Sequence, residues 1–211
     1  MADAKICGIA DARALDAALA GGARMIGLVF FAKSPRNLAL PAAAALAEKA
    51  RGRTDIVAVT VDTDDSMLGA IADVVQPDWI QAHGAESPVR IGHMKYFARK
   101  GVIKALALAR SEDLAQAAAF EPVADMLLFD AKAPPGADRP GGNALAFDWS
   151  ILNGRQFSRP WLLSGGLTPE NVGEAISASG AGLVDVSSGV EAAPGLKDPA
   201  RIAAFLAAAR R

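Results

Sequence analysis

Eight short apolar runs are spaced along the whole chain of 211 residues, and most of them end on or beside a small or polar residue. Ala-rich stretches long enough for helices separate the runs, and this alternation is typical of a parallel sheet with helical crossovers. We therefore predict an α/β fold, a closed (β/α)8 TIM barrel, as a single domain over residues 1–211. In such a barrel the chemistry lies at the C-terminal ends of the strands. The predicted strands span residues 6–7, 25–30, 56–61, 79–81, 102–106, 126–130, 161–164 and 183–186.

Composition narrows the classes of function. The 22 basic side chains balance the 23 acidic ones, and no basic cluster with interleaved aromatics occurs, so we expect no nucleic-acid partner. The N-terminus lacks a basic start followed by an apolar signal core, and no apolar run approaches membrane-spanning length, so we predict a cytoplasmic protein without membrane contact. The single cysteine, Cys7, cannot form an internal disulfide, which fits a reducing compartment.

Helix starts are predicted from capping residues. Asp, Ser and Thr side chains accept hydrogen bonds from the exposed first-turn amides, and proline fits the first turn. These signals predict helices over residues 12–20, 42–51, 88–100 and 198–210. They also predict N-caps at Asp11, Asp64, Ser87, Ser111 and Thr168.

One segment breaks the regular alternation. Residues 131–146 follow the sixth predicted strand and contain three prolines and three glycines. A loop of this length in a compact domain is typical of a lid or a binding loop, and a disordered surface excursion is the alternative.

Two strand ends carry groups that can move protons. Cys7 ends the first strand, and Gly8 lets the backbone turn sharply and leaves room beside the sulfur. A lone cysteine in an apolar run is often only a small buried side chain. At the mouth of a barrel, however, a thiol with a pKa of ~8.5 needs only a modestly electropositive environment to act as a base. Asp130 ends the sixth strand, where it could cap the next loop or act as a general acid opposite Cys7.

Gly-rich turns follow the last two strands. They are Ser164-Gly165-Gly166-Leu167-Thr168 and Ser187-Ser188-Gly189-Val190-Glu191. Glycine lets backbone amides approach an anion closely, and the turns after strands seven and eight are where barrels of this kind bind phosphate. Either turn alone could be an ordinary connector, but the pair predicts a phosphate site.

Other charged candidates have two interpretations each. Arg36 could bind a carboxylate through its fork of donors or be solvated on its loop. Asp185 could bind hydroxyls or pair with a lysine of the barrel. Lys5 and Lys104 lie inside strands, as core ion pairs or as Schiff-base nucleophiles.

The two histidines do not indicate a metal site. His83 ends the fourth strand and could be a structural hydrogen-bonding group or contact a ligand, and His93 is the second histidine of the chain. Because no carboxylate cluster at ligand spacing accompanies them, we expect no metal.

Several motifs together resemble phosphoribosylanthranilate isomerase, over residues 5 to about 199. The resemblance implies an intramolecular oxidoreductase of the aldose–ketose type, acting in the third step of tryptophan biosynthesis from anthranilate. The family's reaction is an Amadori rearrangement of N-(5-phosphoribosyl)anthranilate to 1-(2-carboxyphenylamino)-1-deoxyribulose 5-phosphate, without cofactor or metal. The motifs are Lys5-Ile6-Cys7-Gly8, Gly27-Leu28-Val29-Phe30, Ser34-Pro35-Arg36, Gln81-Ala82-His83-Gly84, Asp130, Ser164-Gly165-Gly166-Leu167 and Asp185-Val186-Ser187-Ser188-Gly189-Val190-Glu191.

The resemblance also implies residue roles. Asp130 would be the general acid that opens the ribose ring, and Cys7 the general base that removes the C2 proton. Arg36 would pair with the anthranilate carboxylate, Asp185 would contact the sugar or the bridging amine, and His83 would belong to the pocket. The implied phosphate site comprises Gly165, Gly166, Ser187, Ser188 and Gly189. A phosphorylated small molecule would be the partner, and the chain would be a monomer or a homodimer.

The sequence departs from the family pattern after the sixth strand, and it leaves other functions open. The family usually has a Gly-Gly-Thr/Ser-Gly run there, whereas this chain has Gly141-Gly142-Asn143-Ala144. Another phosphosugar barrel, such as indole-glycerol-phosphate synthase, would use strand-end lysines and glutamates, and Lys5 and Lys104 keep it possible. A non-catalytic binder of phosphorylated ligands and a purely structural role are further alternatives.

Overall fold

The computed structural model describes residues 1–133, 136, 141 and 146–211. Eight strands form a closed barrel in sequence order, and β1 pairs in parallel with both β2 and β8. The predicted (β/α)8 barrel is therefore confirmed. Its strands are β1 Asp3–Cys7, β2 Met25–Phe30, β3 Asp55–Thr60, β4 Trp79–Ala82, β5 Gly101–Leu108, β6 Met126–Ala131, β7 Trp161–Leu163 and β8 Leu183–Val186.

The strands form where the chain is buried on both faces. Every residue of β2 and β3 is buried, because one face of each strand packs inside the barrel and the other packs against the surrounding helices. This double burial explains why continuous apolar runs predicted the strands. Some inward-facing residues are polar, however. They are Lys5, Gln81, Lys104 and Asp185, whose side chains are buried inside the barrel.

Helices cover the outside of the barrel. The side chains of Asp11, Asp64 and Ser87 accept hydrogen bonds from first-turn amides, so these three predicted caps are confirmed. Asp198, predicted as the first residue of the last helix, is instead its N-cap. The α-helices are α1 Ala12–Ala20, α2 Leu40–Ala50, α3 Asp65–Val74, α4 Pro88–Met94, α5 Ala117–Phe120, α6 Val172–Ser179 and α7 Pro199–Ala209, with 3-10 turns at Lys95–Phe97, Ser111–Gln116, Trp149–Leu152 and Ser188–Val190.

Three helix predictions were wrong in detail. The fourth helix ends at Met94 rather than at residue 100, because the amides of Arg99 and Lys100 donate to Pro77 and Asp78 beside β4. Ser111 begins a 3-10 helix and is not its cap. Thr168 does not cap α6 either: that helix begins at Val172, and Thr168 lies in the preceding turn.

A small hairpin outside the barrel was not predicted. Strands β9 Glu191–Ala193 and β10 Leu196–Lys197 pair antiparallel between the 3-10 turn Ser188–Val190 and α7. The hairpin extends directly from the predicted phosphate turn after β8, so it is positioned to influence the site.

Part of the predicted lid lies outside the described residues. Residues 134–135, 137–140 and 142–145 of the segment 131–146 are not described. In the remainder of the chain, no helix has both the length and the apolar character needed to cross a membrane.

Candidate active site

A cavity opens at the C-terminal ends of the barrel strands. Its empty volume is about 810 Å³, counting the part that is open to solvent. All the site residues predicted from the sequence line this cavity: Cys7, Arg36, His83, Asp130, Gly165, Gly166, Asp185, Ser187, Ser188 and Gly189. The structure thus brings together residues that are separated by most of the chain.

Cys7 ends β1 with its thiol toward the cavity and is only 7% exposed. Gly27 on β2 makes room for the sulfur, because a Cβ at Gly27 would lie 2.8 Å from Sγ of Cys7. The expectation that Gly8 provides this room was wrong. Gly8 does turn the backbone, with φ of 76°, but its missing side chain leaves space for the Arg36 stem instead.

Burial and two nearby cations shift the pKa of the Cys7 thiol in opposite directions. Burial raises the pKa of the Cys7 thiol, and the charge of Lys5 opposes this effect. Asp185 raises the pKa further and Lys197 lowers it, but the net result stays above the ordinary thiol value. The electropositive environment expected for a base is present, yet its effect on the thiol pKa does not outweigh that of burial.

Lys5 and Asp185 form a buried ion pair below Cys7. Nζ of Lys5 donates to Oδ1 of Asp185 at 2.8 Å, and the two side chains are 0% and 5% exposed. Burial alone would lower the pKa of Lys5, but the Asp185 carboxylate holds that pKa above its ordinary value. Asp185 also lines the cavity, so its predicted contact with substrate is compatible with the ion pair.

Asp130 and His83 meet across the ends of β6 and β4. Nε2 of His83 lies 3.2 Å from Oδ2 of Asp130, and the amide of Ala131 donates to Oδ1 of Asp130 at 2.9 Å. On the other side of the ring, Nε2 of Gln81 lies 2.8 Å from Nδ1 of His83. If Nδ1 accepts from Gln81, a neutral imidazole carries its proton on Nε2, which faces Asp130.

Arg36 is buried rather than solvated. It is 5% exposed, and its Nε and Nη2 donate to the two carboxylate oxygens of Glu191 at 2.6 and 2.8 Å. A guanidinium carries five N–H donors, so this fork uses two and leaves three. Since Arg36 lines the cavity, the remaining donors can serve a bound carboxylate.

The two glycine-rich turns lie side by side. A Cβ at Gly189 would clash with the carbonyl oxygen of Leu167, so the turn after β8 packs directly on the turn after β7. Gly165 and Gly166 have φ of 92° and 66°, a left-handed conformation that favours glycine. Their carbonyls are engaged, since Trp149 donates to Gly165 O and Asn171 to Gly166 O.

The amides of these glycines are available to an anion. Neither N–H of Gly165 nor N–H of Gly166 donates a hydrogen bond within the described part of the chain. The Asn171 side chain also accepts from the Thr168 amide at 2.7 Å, which holds the turn from below. The Asn171 side chain thus stabilises this turn, and it does not cap α6, the role that the sequence assigned to Thr168.

Further cavity residues were missed by the sequence reasoning. Val29 in β2, Val59 in β3, and Phe31 and Val61 just after these strands form an apolar wall. Their inward alternation at the strand ends was the available signal. Two charged residues behind the cavity were also missed. Glu191 belongs to the last sequence motif, but no role was assigned to it. No sequence motif indicated Lys197, whose Nζ donates to Oε1 of Glu191 at 2.8 Å.

The strand lysines are both paired. Besides the Lys5 pair, Nζ of Lys104 contacts Glu86 at 2.7 Å, with side-chain exposures of 3% and 2%. Among the residues that the structure describes, no group of three or more His, Cys, Asp or Glu side chains is arranged to hold a metal ion.

Comparison with known proteins places the chain in a family. Residues 4–208 match the profile of the family described as N-(5'phosphoribosyl)anthranilate (PRA) isomerase. The N-(5'-phosphoribosyl)anthranilate isomerase of Rhodopseudomonas palustris is 52% identical over 99% of this chain and 95% of its own length. That of Caulobacter vibrioides is 53% identical, again over 99% and 95%.

Solved structures agree with these relatives. The phosphoribosyl anthranilate isomerase of Thermotoga maritima superposes with a TM-score of 0.88 at 34% identity, covering 100% of this chain and 99% of that one. A second isomerase structure, in complex with reduced 1-(o-carboxyphenylamino)-1-deoxyribulose 5-phosphate, gives 0.86 at 32% identity with the same coverage. The chain therefore belongs to the N-(5'-phosphoribosyl)anthranilate isomerase family of tryptophan biosynthesis.

Proposed function

We propose that this chain isomerises N-(5'-phosphoribosyl)anthranilate with Asp130 as the general acid and Cys7 as the general base. The observation that carries the proposal is the placement of both side chains on one cavity, together with Arg36 and the glycine-rich turns. The reaction needs one acid and one base at a substrate whose two anionic ends are held. Each proton-transfer group typically contributes about a hundredfold to ten-thousandfold to the rate.

In the first step Asp130 protonates the ribose ring oxygen. The bond between C1 and the ring oxygen breaks, and the nitrogen lone pair forms the C1=N bond of a protonated Schiff base. This leaves Asp130 as a carboxylate, which the Nε2–H of His83 and the Ala131 amide stabilise by hydrogen bonds. His83 thus supports the acid as it loses its proton.

In the second step the Cys7 thiolate removes the proton from C2 of the sugar. The C–H electrons form the C1=C2 bond of an enolamine and neutralise the Schiff-base nitrogen. The enolamine then tautomerises: C1 gains a proton, the C2 hydroxyl loses one, and the ketone product results. Because Lys5 and Lys197 both favour a negative charge at Cys7, they assist formation of the thiolate.

The substrate's two anionic ends have separate anchors in this proposal. The free donors of Arg36 bind the anthranilate carboxylate, and the wall of Val29, Phe31, Val59 and Val61 contacts its ring. The Gly165 and Gly166 amides, with Ser187, Ser188 and Gly189, hold the phosphate. Anchoring at both ends keeps the sugar carbons between the acid and the base.

The setting of the enzyme is part of the same proposal. We place it in the cytoplasm, as a monomer or homodimer acting without cofactor or metal. A Thermotoga maritima relative is described as dimeric and has been obtained as monomers. In this chain all the proposed site residues come from one barrel, so either state would have a complete site.

The test is the decay of phosphoribosylanthranilate fluorescence when the purified chain is added to freshly made substrate. We expect rapid decay with the wild type and background decay with a variant carrying both Cys7→Ala and Asp130→Asn. Phosphate binding without turnover by the wild type would instead favour a non-catalytic binder. Conversion of the rearranged product to an indole would favour the synthase alternative.

A further inference from the structure

The hairpin β9–β10 carries a buried cation behind the cavity wall. The side chain of Lys197 is 0% exposed, and its Nζ donates to Ser187 O at 2.9 Å, Ser187 Oγ at 3.3 Å and Glu191 Oε1 at 2.8 Å. These contacts use all three protons of the ammonium group. Lys197 does not line the cavity, so any effect on substrate must pass through its partners.

Glu191 joins Lys197 to the proposed carboxylate anchor. Its Oε1 accepts from both Arg36 Nε and Lys197 Nζ, and its Oε2 accepts from Arg36 Nη2. One carboxylate thus bridges two buried cations. The hairpin backbone also packs on the Arg36 loop, because a Cβ at Gly195 would lie 2.6 Å from the carbonyl oxygen of Pro35.

Stability alone is a weak explanation for this cluster. Burying two cations with one carboxylate carries a desolvation cost that an apolar cluster of similar size would avoid. With Arg36, Lys197 and Glu191 all ionised, the cluster carries one net positive charge, although burial lowers the pKa of Lys197 against the effect of Glu191. The cluster lies behind the part of the cavity where the substrate's two anionic groups are proposed to bind. The Cys7 thiol also interacts electrostatically with Lys197, and Cys7 in turn interacts with Lys5 and Asp185.

We propose that Lys197 is a positioning residue that fixes the carboxylate anchor Arg36 and the phosphate turn at Ser187 as one unit, through Glu191. The inference rests on the proposed function, because it assumes that these two groups hold the substrate's ends. Lys197 holds the turn through Ser187 and holds Glu191 in place for Arg36. The charge of Lys197 also lowers the pKa of the Cys7 thiol against the effect of burial, so the titration of Cys7 is a readout that a merely structural role would not move.

The experiment compares Lys197→Met with Lys95→Met. Lys95 forms an ion pair with Asp125 at the same N–O distance of 2.8 Å, but at the opposite end of the barrel, where β6 begins. Both variants lose one ion pair, but the Lys95 side chain is 35% exposed and that of Lys197 is buried, so Lys95→Met should lower the melting temperature less. A merely structural effect in either variant would leave ligand binding alone. The probes are inorganic phosphate and anthranilate, each titrated separately, and the ultraviolet absorbance of the Cys7 thiolate.

We expect Lys197→Met to raise the dissociation constants of both probes by about tenfold, as loss of a charged hydrogen-bond network would. We also expect it to raise the apparent pKa of Cys7, while Lys95→Met moves none of the three readouts. Binding and thiol titration like those of the wild type in Lys197→Met would overturn the proposal. Failure of the wild type to convert substrate would count against the proposed function instead, since these readouts need no turnover.

If Lys197→Met does not fold, Glu191→Gln tests whether Glu191 links the Arg36 anchor to the phosphate turn. Glutamine keeps one acceptor oxygen but loses the two-oxygen fork to Arg36, while Lys197 keeps its bonds to Ser187. We expect about a tenfold weaker affinity for anthranilate and less than about a threefold change for phosphate. Unchanged affinity for both probes in Glu191→Gln would contradict the proposed linkage.

Discussion

Nε2 of His83 lies 3.2 Å from Oδ2 of Asp130, at the point where β4 and β6 reach the cavity. The Ala131 amide donates to the other carboxyl oxygen, so both oxygens of Asp130 have a polar partner. A carboxyl group held in this way keeps one orientation through a cycle of proton loss and gain. The arrangement leads to a direct test of Asp130.

Asp130→Asn should lower kcat by about a hundredfold to ten-thousandfold and leave the substrate dissociation constant within about tenfold. Asparagine keeps an oxygen for the Ala131 amide but has no acidic proton to give to the ring oxygen. Steady-state kinetics with phosphoribosylanthranilate measure both quantities. A kcat equal to that of the wild type would remove Asp130 from the mechanism.

Cys7→Ala should also lower kcat by about a hundredfold to ten-thousandfold, because no other side chain is proposed to take the C2 proton. The substrate dissociation constant should stay within about tenfold, since Cys7 does not belong to either anchor. In a single-turnover experiment with excess enzyme, the fluorescence of the bound substrate should persist in this variant, because the substrate binds but is not converted. Full activity in the alanine variant would exclude the thiol as the base.

Arg36→Ala should chiefly raise KM, by about tenfold to a hundredfold, because the lost contacts bind substrate and transition state alike. Lys197 remains beside Glu191 in this variant, so the carboxylate keeps a cationic partner. Arg36→Lys is the matched control: it keeps the charge but not the fork, and it should recover only part of the affinity. An unchanged KM in Arg36→Ala would refute the anchoring role.

The local sequence predicted the barrel because its strands are buried on both faces, which leaves a readable apolar run such as Met25–Phe30. It also predicted which strand ends would meet, since parallel strands bring their C-terminal ends to one rim. The partners of those residues were not predictable in the same way. Arg36 and Glu191 are 155 positions apart, and no local pattern links them.

Thr168 was wrongly predicted as a helix cap because a second polar side chain, Asn171, lies close to it in the sequence. Thr168 and Asn171 could each cap the helix that follows, and the sequence pattern Thr-Pro-Glu favoured the first. In the fold, the Asn171 side chain accepts from the Thr168 amide and donates to Gly166 O, so it stabilises the turn rather than the helix. Whether Asn171 bonds to the turn or to the helix depends on how closely the turn after β7 packs, and only the tertiary structure defines that packing.

The raised pKa of Cys7 should make stability fall at alkaline pH. Burial raises the folded-state pKa of the thiol above its unfolded value of ~8.5. The protonated thiol's contribution is therefore fully present below that unfolded pKa and is lost as the pH rises through the folded one. The measurement is the urea midpoint of the wild type minus that of Cys7→Ala, determined from neutral to alkaline pH.

We expect this difference to decrease above about pH 8.5, while other ionisations common to both proteins cancel. Because Cys7 is the single cysteine of the chain, thiolate absorbance reports its titration directly. A difference that increases with pH, with a thiol that titrates below its ordinary value, would show that the cations Lys5 and Lys197 outweigh burial, and a constant difference would show that they cancel it.

Gly189→Ala should separate the two phosphate turns. A Cβ at this position clashes with the backbone carbonyl of Leu167, which cannot move aside as a flexible side chain would. Overpacking of this kind typically costs about 1–3 kcal/mol, and here the backbone must shift at the proposed phosphate site. We expect the dissociation constant of inorganic phosphate to rise by about tenfold or more, with a parallel rise in KM.

Gly173→Ala is the matched control for this variant. Gly173 lies in α6, and a Cβ there meets nothing within 4 Å. Alanine favours helix over glycine by up to about 1 kcal/mol, so this variant should be as stable as the wild type or slightly more stable and bind phosphate equally well. If Gly189→Ala bound phosphate as tightly as Gly173→Ala, the close approach of the two turns would have no role in holding the anion.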